Sequence, residues 1–103
     1  LSAVSSILQA VRKGKVLSDI SIFGERGEFL EAIALETSDI TKKPLKKISF
    51  PKGAILVCII RENNIILPTG DSIVKPEDII ILFAVRQAVK NLEKMLTVKL
   101  DFF

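Results

Sequence analysis

Two uninterrupted apolar segments restrict what this chain can fold into more than any other feature of its sequence. They span residues 54–60 and 79–85, seven residues each, and Ile and Val are frequent in both. Segments this short do not make a core helix, and they fall far short of the roughly 20 residues that span a membrane. Both are therefore predicted to be buried strands. Both faces of these strands are apolar, and one helix covers only one face of a sheet. A second subunit is therefore predicted to cover the other face.

Turn residues divide the neighbouring sequence into further short strands. Residues 62–64, Glu-Asn-Asn, predict a tight hairpin turn because Asn accepts the positive φ angle that such turns need, and residues 65–67 form the paired strand. A Gly-containing break is predicted at residues 24–27, with a strand following over residues 28–36. Another short strand is predicted over residues 72–74. Short strands joined by tight turns favour antiparallel pairing.

Two helical segments complete the predicted fold. Ser38 or Asp39 can cap a short helical crossover over residues 40–47, which Pro44 interrupts. Near the C-terminus, apolar residues recur at spacings of four, three and four, the pattern of an amphipathic helix. This pattern is formed by Val85, Val89, Leu92 and Leu96. The predicted fold class is α+β: a small, mostly antiparallel sheet with a short helical crossover and a C-terminal helix.

A helical pattern also opens the chain. Apolar residues at positions 4, 7, 8 and 11 fall on one stripe of a helix, and Lys13 and Gly14 end it. Residues 1–13 are therefore predicted to be a connector helix from a missing upstream domain, and residues 14–103 to form the domain itself.

The residue types that are absent exclude several classes of chemistry. The chain has no His, Trp or Tyr and a single Cys, so it cannot form a Ser-His-Asp unit, an internal disulfide or a thiolate-and-imidazole zinc site. Cys58 lies inside the first apolar segment and is interpreted as a buried hydrophobic residue. Asp71, Glu77 and Asp78 lie in predicted turns, where acidic residues are common. No catalytic residue, metal ligand or enzymatic activity is predicted.

Five of the chain's cations form a lysine cluster. Its members are Lys42, Lys43, Lys46, Lys47 and Lys52. The whole chain carries 15 Lys and Arg against 12 Asp and Glu, a net charge of +3, and this mild excess does not predict a nucleic-acid partner. Two interpretations of the lysine cluster stay open: a solvated helix face, or a site for phosphate or another anion.

Several short motifs follow one another in order between residues 41 and 83. They are Thr41-Lys42-Lys43-Pro44-Leu45, Ile48-x-Phe50-Pro51-x-Gly53-Ala54-x-Leu56, Ile60-Arg61, Ile65-x-Leu67-Pro68-x-Gly70-Asp71 and Asp78-Ile79-Ile80-Ile81-Leu82-Phe83. This order resembles the C-terminal domain of RCK (regulator of potassium conductance, or TrkA-C) proteins, and the resemblance covers roughly residue 11 to the end. By this resemblance residues 14–103 are an RCK C-terminal regulatory domain.

The resemblance implies a function as well as a fold. It implies a ligand-sensing and dimerisation domain in a peripheral, cytoplasmic subunit at the inner face of the cell membrane, where it controls a bacterial potassium-uptake transporter. A Rossmann domain normally precedes such domains, so a NAD- or ATP-type nucleotide is expected only in that missing upstream domain and no cofactor in this one. The alternative is the effector-binding domain of a DNA-binding transcription regulator.

The resemblance also implies a ligand pocket at the homodimer interface, for a small molecule or a cyclic dinucleotide. Carried over by position, its residues are Phe50, Pro51, Lys52, Ile55, Leu56 and Pro68, and Arg61 is added because its guanidinium can either reach a bound anion or pair with a carboxylate. Relatives that bind cyclic di-AMP carry Arg-Ala in place of Pro51-Lys52, a difference that argues against this ligand. The family also commonly has Gly in place of Glu77, so the turn there either avoids positive φ or is strained.

Overall fold

The computed structural model describes residues 21–22 and 25–102. Within them the chain forms six strands and one α-helix, with short 3₁₀ helices at Asp39–Thr41, Leu45–Lys47 and Arg86–Ala88. The strands are β1 (Ser21–Ile22), β2 (Glu25–Ile33), β3 (Ala54–Arg61), β4 (Asn64–Ile66), β5 (Ile79–Val85) and β6 (Asp101–Phe102), and the helix is α1 (Val89–Leu96). The predicted connector helix over residues 1–13 lies outside the described residues.

The strands form one antiparallel sheet in the order β1-β2-β5-β3-β4, and β6 pairs with the outer edge of β2. β5 is the central strand: Leu82 faces Leu30 of β2 on one side and Leu56 of β3 on the other. The two apolar segments therefore lie next to each other at the centre of the sheet. The predicted α+β fold with a mostly antiparallel sheet is confirmed.

One face of the sheet packs against α1 and carries the main core. Leu30, Leu82 and Ile59 are completely buried there, and α1 contributes Leu92 and Leu96. The crossover and the segment before β5 add two further buried residues, Ile40 and Val74. The predicted amphipathic C-terminal helix is confirmed over Val89–Leu96, and its apolar stripe covers the sheet, whereas Val85, the first residue of the predicted pattern, belongs to β5.

The opposite face of the sheet, here called the second face, is also apolar. Cys58, Ile60 and Ile81 form a separate buried cluster on it, and the Phe29 and Phe83 rings pack edge to face with centroids 4.7 Å apart. Cys58 is therefore the buried hydrophobic residue that the sequence predicts, and burial raises the pKa of its thiol. At the margin of this face Ile33 and Ile55 remain about half exposed.

The crossover and the hairpin follow the prediction closely. Ser38 caps the first 3₁₀ helix, because its Oγ accepts a hydrogen bond from the Ile40 N–H at 3.3 Å. Pro44 separates this helix from the next one, as expected of a residue that interrupts helical hydrogen bonding. In the hairpin the two positive φ angles belong to Glu62 and Asn63, so the turn has two residues and Asn64 already begins β4.

The predicted strands differ from the structure in several places. The strand predicted over residues 28–36 is β2, which ends at Ile33. The predicted break at residues 24–27 is wrong for residues 25–27, which begin β2: Gly27 pairs with Val85, and a Cβ there would lie 2.6 Å from the Phe83 ring. Gly27 therefore serves close packing across the sheet rather than a turn. Residues 72–74 are not a strand, because the Ser72 carbonyl accepts from the Leu45 N–H of the crossover instead of a strand partner. β6 was not predicted, since two residues carry no periodic pattern.

Candidate functional site

Some of the predicted ligand residues meet in one cavity. The cavity has a volume of about 320 Å³ and lies beside the N-terminal half of β3. We call it the β3-edge pocket. The predicted residues that line it are Phe50, Ile55, Leu56 and Pro68. Its other lining residues, which were not predicted, come from the crossover, the start of β3 and the loop after β4: Leu45, Lys46, Ala54, Thr69 and Gly70.

The pocket exists because β3 has a partner along only part of its outer edge. β4 pairs with residues 59–61, whereas the outer edge of residues 54–58 has no strand partner in the described part of the chain. A bulge between Leu56 and Cys58 shifts the register where this change occurs. Pro68 has no N–H with which to extend β4. The chain therefore leaves the sheet after β4, and the loop that follows forms another wall of the pocket.

Hydrogen bonds hold the crossover against this loop. The Leu45 N–H donates to the Ser72 carbonyl and the Lys46 N–H to the Gly70 carbonyl, each at 2.9 Å. The Lys46 Nζ lies 2.8 Å from the Asp71 Oδ1, in a solvent-exposed ion pair of the kind that adds little stability. The pocket thus combines a mainly apolar lining with one charge-balanced lysine, a composition suited to the apolar or aromatic part of a small ligand.

Pro51 and Lys52 adjoin the pocket in sequence but do not line it. They form the turn that leads into β3, in which the Pro51 carbonyl accepts from the Ala54 N–H at 3.1 Å. Gly53 completes the turn with φ +91°, and a Cβ there would lie 2.5 Å from the Val85 side chain. The turn fixes where β3 starts, and a ligand-binding role for Pro51 and Lys52 stays a prediction.

Arg61 lies at the other end of β3, in an ion pair with Asp78. Its Nη2 is 2.7 Å from the Asp78 Oδ2 and its Nε is 3.0 Å from the Asp78 Oδ1, so the pair is bidentate. Nη2 also donates to the Ile73 carbonyl at 3.1 Å. The hydrogen bonds that the Arg61 guanidinium donates to the Asp78 carboxylate raise the pKa of Arg61. The sequence left open whether Arg61 reaches a bound anion or pairs with a carboxylate, and in the structure it pairs with the Asp78 carboxylate. Arg61 does not line the β3-edge pocket.

The Asp78 carboxylate organises the turn before β5. The Asp78 side chain is only 3% exposed and also accepts from the Lys75 N–H at 2.9 Å. The Asp78 N–H donates to the Lys75 carbonyl at 3.1 Å, which closes a β-turn with Pro76 in its second position and Glu77 in its third. Glu77 has φ +76°, the angle that gives type II turns their preference for Gly. Glu77 therefore adopts the strained conformation that is one of the two predicted outcomes.

Two of the three predicted turn carboxylates form ion pairs instead of a shared site. Asp71 pairs with Lys46 and Asp78 with Arg61, while Glu77 is exposed. Across residues 25–102, no group of three His, Cys, Asp or Glu side chains is arranged to hold a metal ion. The β3-edge pocket is therefore the arrangement that best fits the predicted ligand site.

Comparison with known proteins identifies the family. The model of the TrkA-C domain family matches residues 29–97, and the chain belongs to this family. It is 37% identical over 100 residues to a Trk system potassium uptake protein TrkA of Azorhizobium caulinodans, covering 97% of this chain and 22% of that protein. It is 35% identical over 94 residues to a TrkA homolog of Methanosarcina mazei, covering 91% of this chain and 21% of that protein. The chain spans about a fifth of the length of these relatives.

Solved structures share the fold. An RCK domain with cda superimposes with a TM-score of 0.59 at 28% identity, covering 67% of this chain and 97% of that one. The RCK_C domain dimer of Streptococcus agalactiae BusR in complex with c-di-AMP gives a TM-score of 0.60 at 20% identity, covering 69% of this chain and 91% of that one. In the described residues of the present chain, no helix is long and apolar enough to cross a membrane.

Proposed function

We propose that this chain is the ligand-sensing and dimerisation domain of a peripheral subunit that controls a potassium-uptake transporter. The observation that carries the proposal is the 37% identity to a Trk system potassium uptake protein across 97% of this chain. The proposed location is the cytoplasm, at the inner face of the cell membrane, and the membrane subunit of the transporter is the proposed partner. The domain itself is proposed to have no enzymatic activity and no cofactor. A NAD- or ATP-type nucleotide is proposed for an upstream domain, for which relatives more than four times as long leave room.

The proposed homodimer uses the surface beside the β3-edge pocket. Three large apolar side chains are exposed there, Ile55, Ile65 and Leu67, with Leu67 76% exposed. Ile55 lies on the part of the β3 edge that lacks a strand partner among the described residues, Ile65 lies on β4, and Leu67 follows β4 directly. Exposed apolar side chains next to an open strand edge favour association with a second chain. The RCK_C domain of BusR, which has the same fold, is a dimer, and this supports a homodimer of the present chain.

Light scattering over a concentration series tests the proposed dimer. The chain is expected to have the mass of a dimer, and Leu67→Glu is expected to give a monomer because it places a charge in the interface. Leu35→Glu is the matched control, since Leu35 is also exposed but follows β2 on the other side of β5. A monomeric wild-type chain at high micromolar concentration would contradict the proposal.

The proposed ligand is a small molecule or a cyclic dinucleotide bound in the β3-edge pocket. Support comes from the mainly apolar lining and from the structures of RCK domains with cda and with c-di-AMP. Thermal unfolding with cyclic di-AMP, cyclic di-GMP and ATP tests it, because a ligand that binds only the folded state raises Tm. Phe50→Ala should abolish the increase. A dimer whose Tm none of the three compounds changes would contradict ligand sensing and leave dimerisation as the function of the domain.

The effector domain of a DNA-binding regulator is the second candidate. It is favoured by the structure of BusR in complex with promotor DNA, which superimposes with a TM-score of 0.61, but at 16% identity this likeness concerns the fold alone. Titration of this chain with duplex DNA at several salt concentrations separates the two candidates. Our proposal expects no binding, whereas salt-dependent binding would favour the regulator because phosphate contacts release counterions.

A further inference from the structure

The structure divides the lysine cluster between two different cavities. Lys46 faces Asp71 and lines the β3-edge pocket. Lys42, Lys43 and Lys47 line a separate cavity of about 350 Å³, which we call the trilysine cavity. Its other lining residues are Asp39, Ile48, Ser49 and Met95. These three lysines are exposed to solvent and border the same concavity.

The local backbone explains why neighbouring lysines serve different cavities. Lys46 and Lys47 belong to the 3₁₀ helix Leu45–Lys47, in which successive side chains are about 120° apart around the axis. One of them consequently points to the β3 edge and the other to the trilysine cavity. The far wall is Met95 of α1, and the buried Ser38 hydroxyl fixes it by donating to the Met95 carbonyl at 3.3 Å. The cavity thus has walls from two packed elements.

The charges around the trilysine cavity are not balanced. Asp39 is its one lining carboxylate, and Asp39 Oδ1 lies 3.9 Å from the Lys42 Nζ with both side chains largely exposed. Within residues 25–102, Lys43 and Lys47 form no ion pair, and the Ser49 hydroxyl makes no hydrogen bond. Three ammonium groups, one carboxylate and one hydroxyl leave a net charge of +2 and an excess of hydrogen-bond donors.

From this arrangement we propose that the trilysine cavity binds the phosphate group of a small organic phosphate, separately from the β3-edge pocket. Ammonium and hydroxyl groups donate hydrogen bonds to phosphate oxygens. Charge-assisted hydrogen bonds of this type are stronger than those between neutral groups. The volume lies within the range of about 300–1,000 Å³ that small-molecule sites occupy. Ile48 and Met95 add an apolar surface for the organic part of the ligand. The proposal does not depend on the proposed regulatory function.

Calorimetric titration of the full chain with inorganic pyrophosphate at low ionic strength tests the proposal. We expect measurable binding that weakens at least tenfold in the double variant Lys43→Gln/Lys47→Gln. The control is Lys75→Gln/Lys90→Gln, which removes the same charge from exposed lysines outside the cavity and is expected to bind as the wild type does. Equal loss in both double variants, or no binding by the wild-type chain, would overturn the proposal.

A gain-of-binding variant keeps the test independent of folding defects. Asp39→Asn removes the one carboxylate that repels phosphate in the cavity, so it is expected to bind pyrophosphate more tightly than the wild type. Unchanged or weaker binding by Asp39→Asn would count against the site.

Vesicles distinguish a soluble phosphate from a lipid headgroup. Vesicles of phosphatidylglycerol with phosphatidylcholine, compared with pure phosphatidylcholine, show whether the same residues recognise lipid phosphate. Pyrophosphate binding without vesicle binding identifies a soluble ligand, and vesicle binding that Lys43→Gln/Lys47→Gln removes identifies a lipid source. Vesicle binding that the control double variant loses equally would overturn a specific site.

Discussion

Replacing Glu77 by Gly should stabilise the fold, because the backbone at this position has the conformation that Gly prefers. Glu77 occupies the third position of the turn before β5 with φ +76°. Its N–H donates to the Ala34 carbonyl at 2.9 Å, and this bond does not involve the side chain. Within residues 25–102 the exposed Glu77 carboxylate makes no hydrogen bond or ion pair. Glu77→Gly therefore removes strain without removing a contact that the structure describes.

The magnitude follows from two opposing terms. An L-residue in the left-handed region costs about 1–2 kcal/mol, whereas Gly loses about 0.5–1 kcal/mol more conformational entropy on folding. The net stabilisation expected for Glu77→Gly is about 0.5–1 kcal/mol. For a domain of this size it corresponds to an increase in Tm of about 2–8 °C. Thermal unfolding at fixed chain concentration measures it, since Tm of a dimer depends on concentration.

Two controls separate backbone strain from charge. Glu77→Ala removes the carboxylate but keeps the strain, so its stability should stay within about 0.5 kcal/mol of wild type. Glu36→Gly makes the same substitution at an exposed turn residue without positive φ and should destabilise by about 0.5–1 kcal/mol. Destabilisation by Glu77→Gly comparable to that of Glu36→Gly would contradict backbone strain at Glu77, and so would a stabilisation by Glu77→Ala as large as that of Glu77→Gly.

Three further predictions concern the core and the ion pair beside it. Asp78→Ala leaves Arg61 without its partner, and because Arg61 is 29% exposed and can regain water, we expect a loss of about 2–4 kcal/mol in urea unfolding. A loss below about 1 kcal/mol would contradict a structural role. Gly27→Ala would bring a methyl group within 2.6 Å of the Phe83 ring, so we expect about 1–3 kcal/mol of destabilisation by the same assay, and a neutral effect would contradict the close packing. Burial raises the pKa of Cys58, so above a pH of about 8.5 the unfolded state releases this proton first and stability falls as pH rises. Unfolding free energies measured across that range should fall less in Cys58→Ala, and parallel curves would contradict the pKa shift.

The central strands could be predicted because their sequences leave little choice. A seven-residue apolar segment rich in β-branched residues has no polar face to turn to water, and β5 matches its prediction at both ends. The role of Gly27 could not be predicted in this way, because Gly is required there by the Phe83 ring on a neighbouring strand. The absence of a strand at Ser72 could not be predicted either, because only the folded chain brings the Ser72 carbonyl to the crossover.

The candidate site was predictable where it depends on order along the chain. Phe50, Ile55 and Pro68 occur in motifs whose positions carry over directly, and the structure places them around one cavity. Arg61 could not be assigned in this way, because Asp78 lies 17 residues away and only the fold makes them partners. Nor could the sequence separate Lys46 from Lys47, which are adjacent and chemically identical. The 3₁₀ helix that contains them directs one to each cavity.

The two halves of β3 explain the positions of the proposed dimer surface and the β3-edge pocket. Residues 59–61 pair with β4, residues 59 and 60 also pair with β5, and the Arg61–Asp78 ion pair connects this end of the strand to the turn before β5. The backbone groups and charges at this end are already paired, so a ligand could bind there only by displacing existing hydrogen bonds or the ion pair. At the other end the outer edge has no strand partner among the described residues, and Ile55 is 51% exposed. Because open edges and exposed apolar side chains are the features that recruit a second chain or a ligand, the N-terminal half of β3 is where recognition is expected.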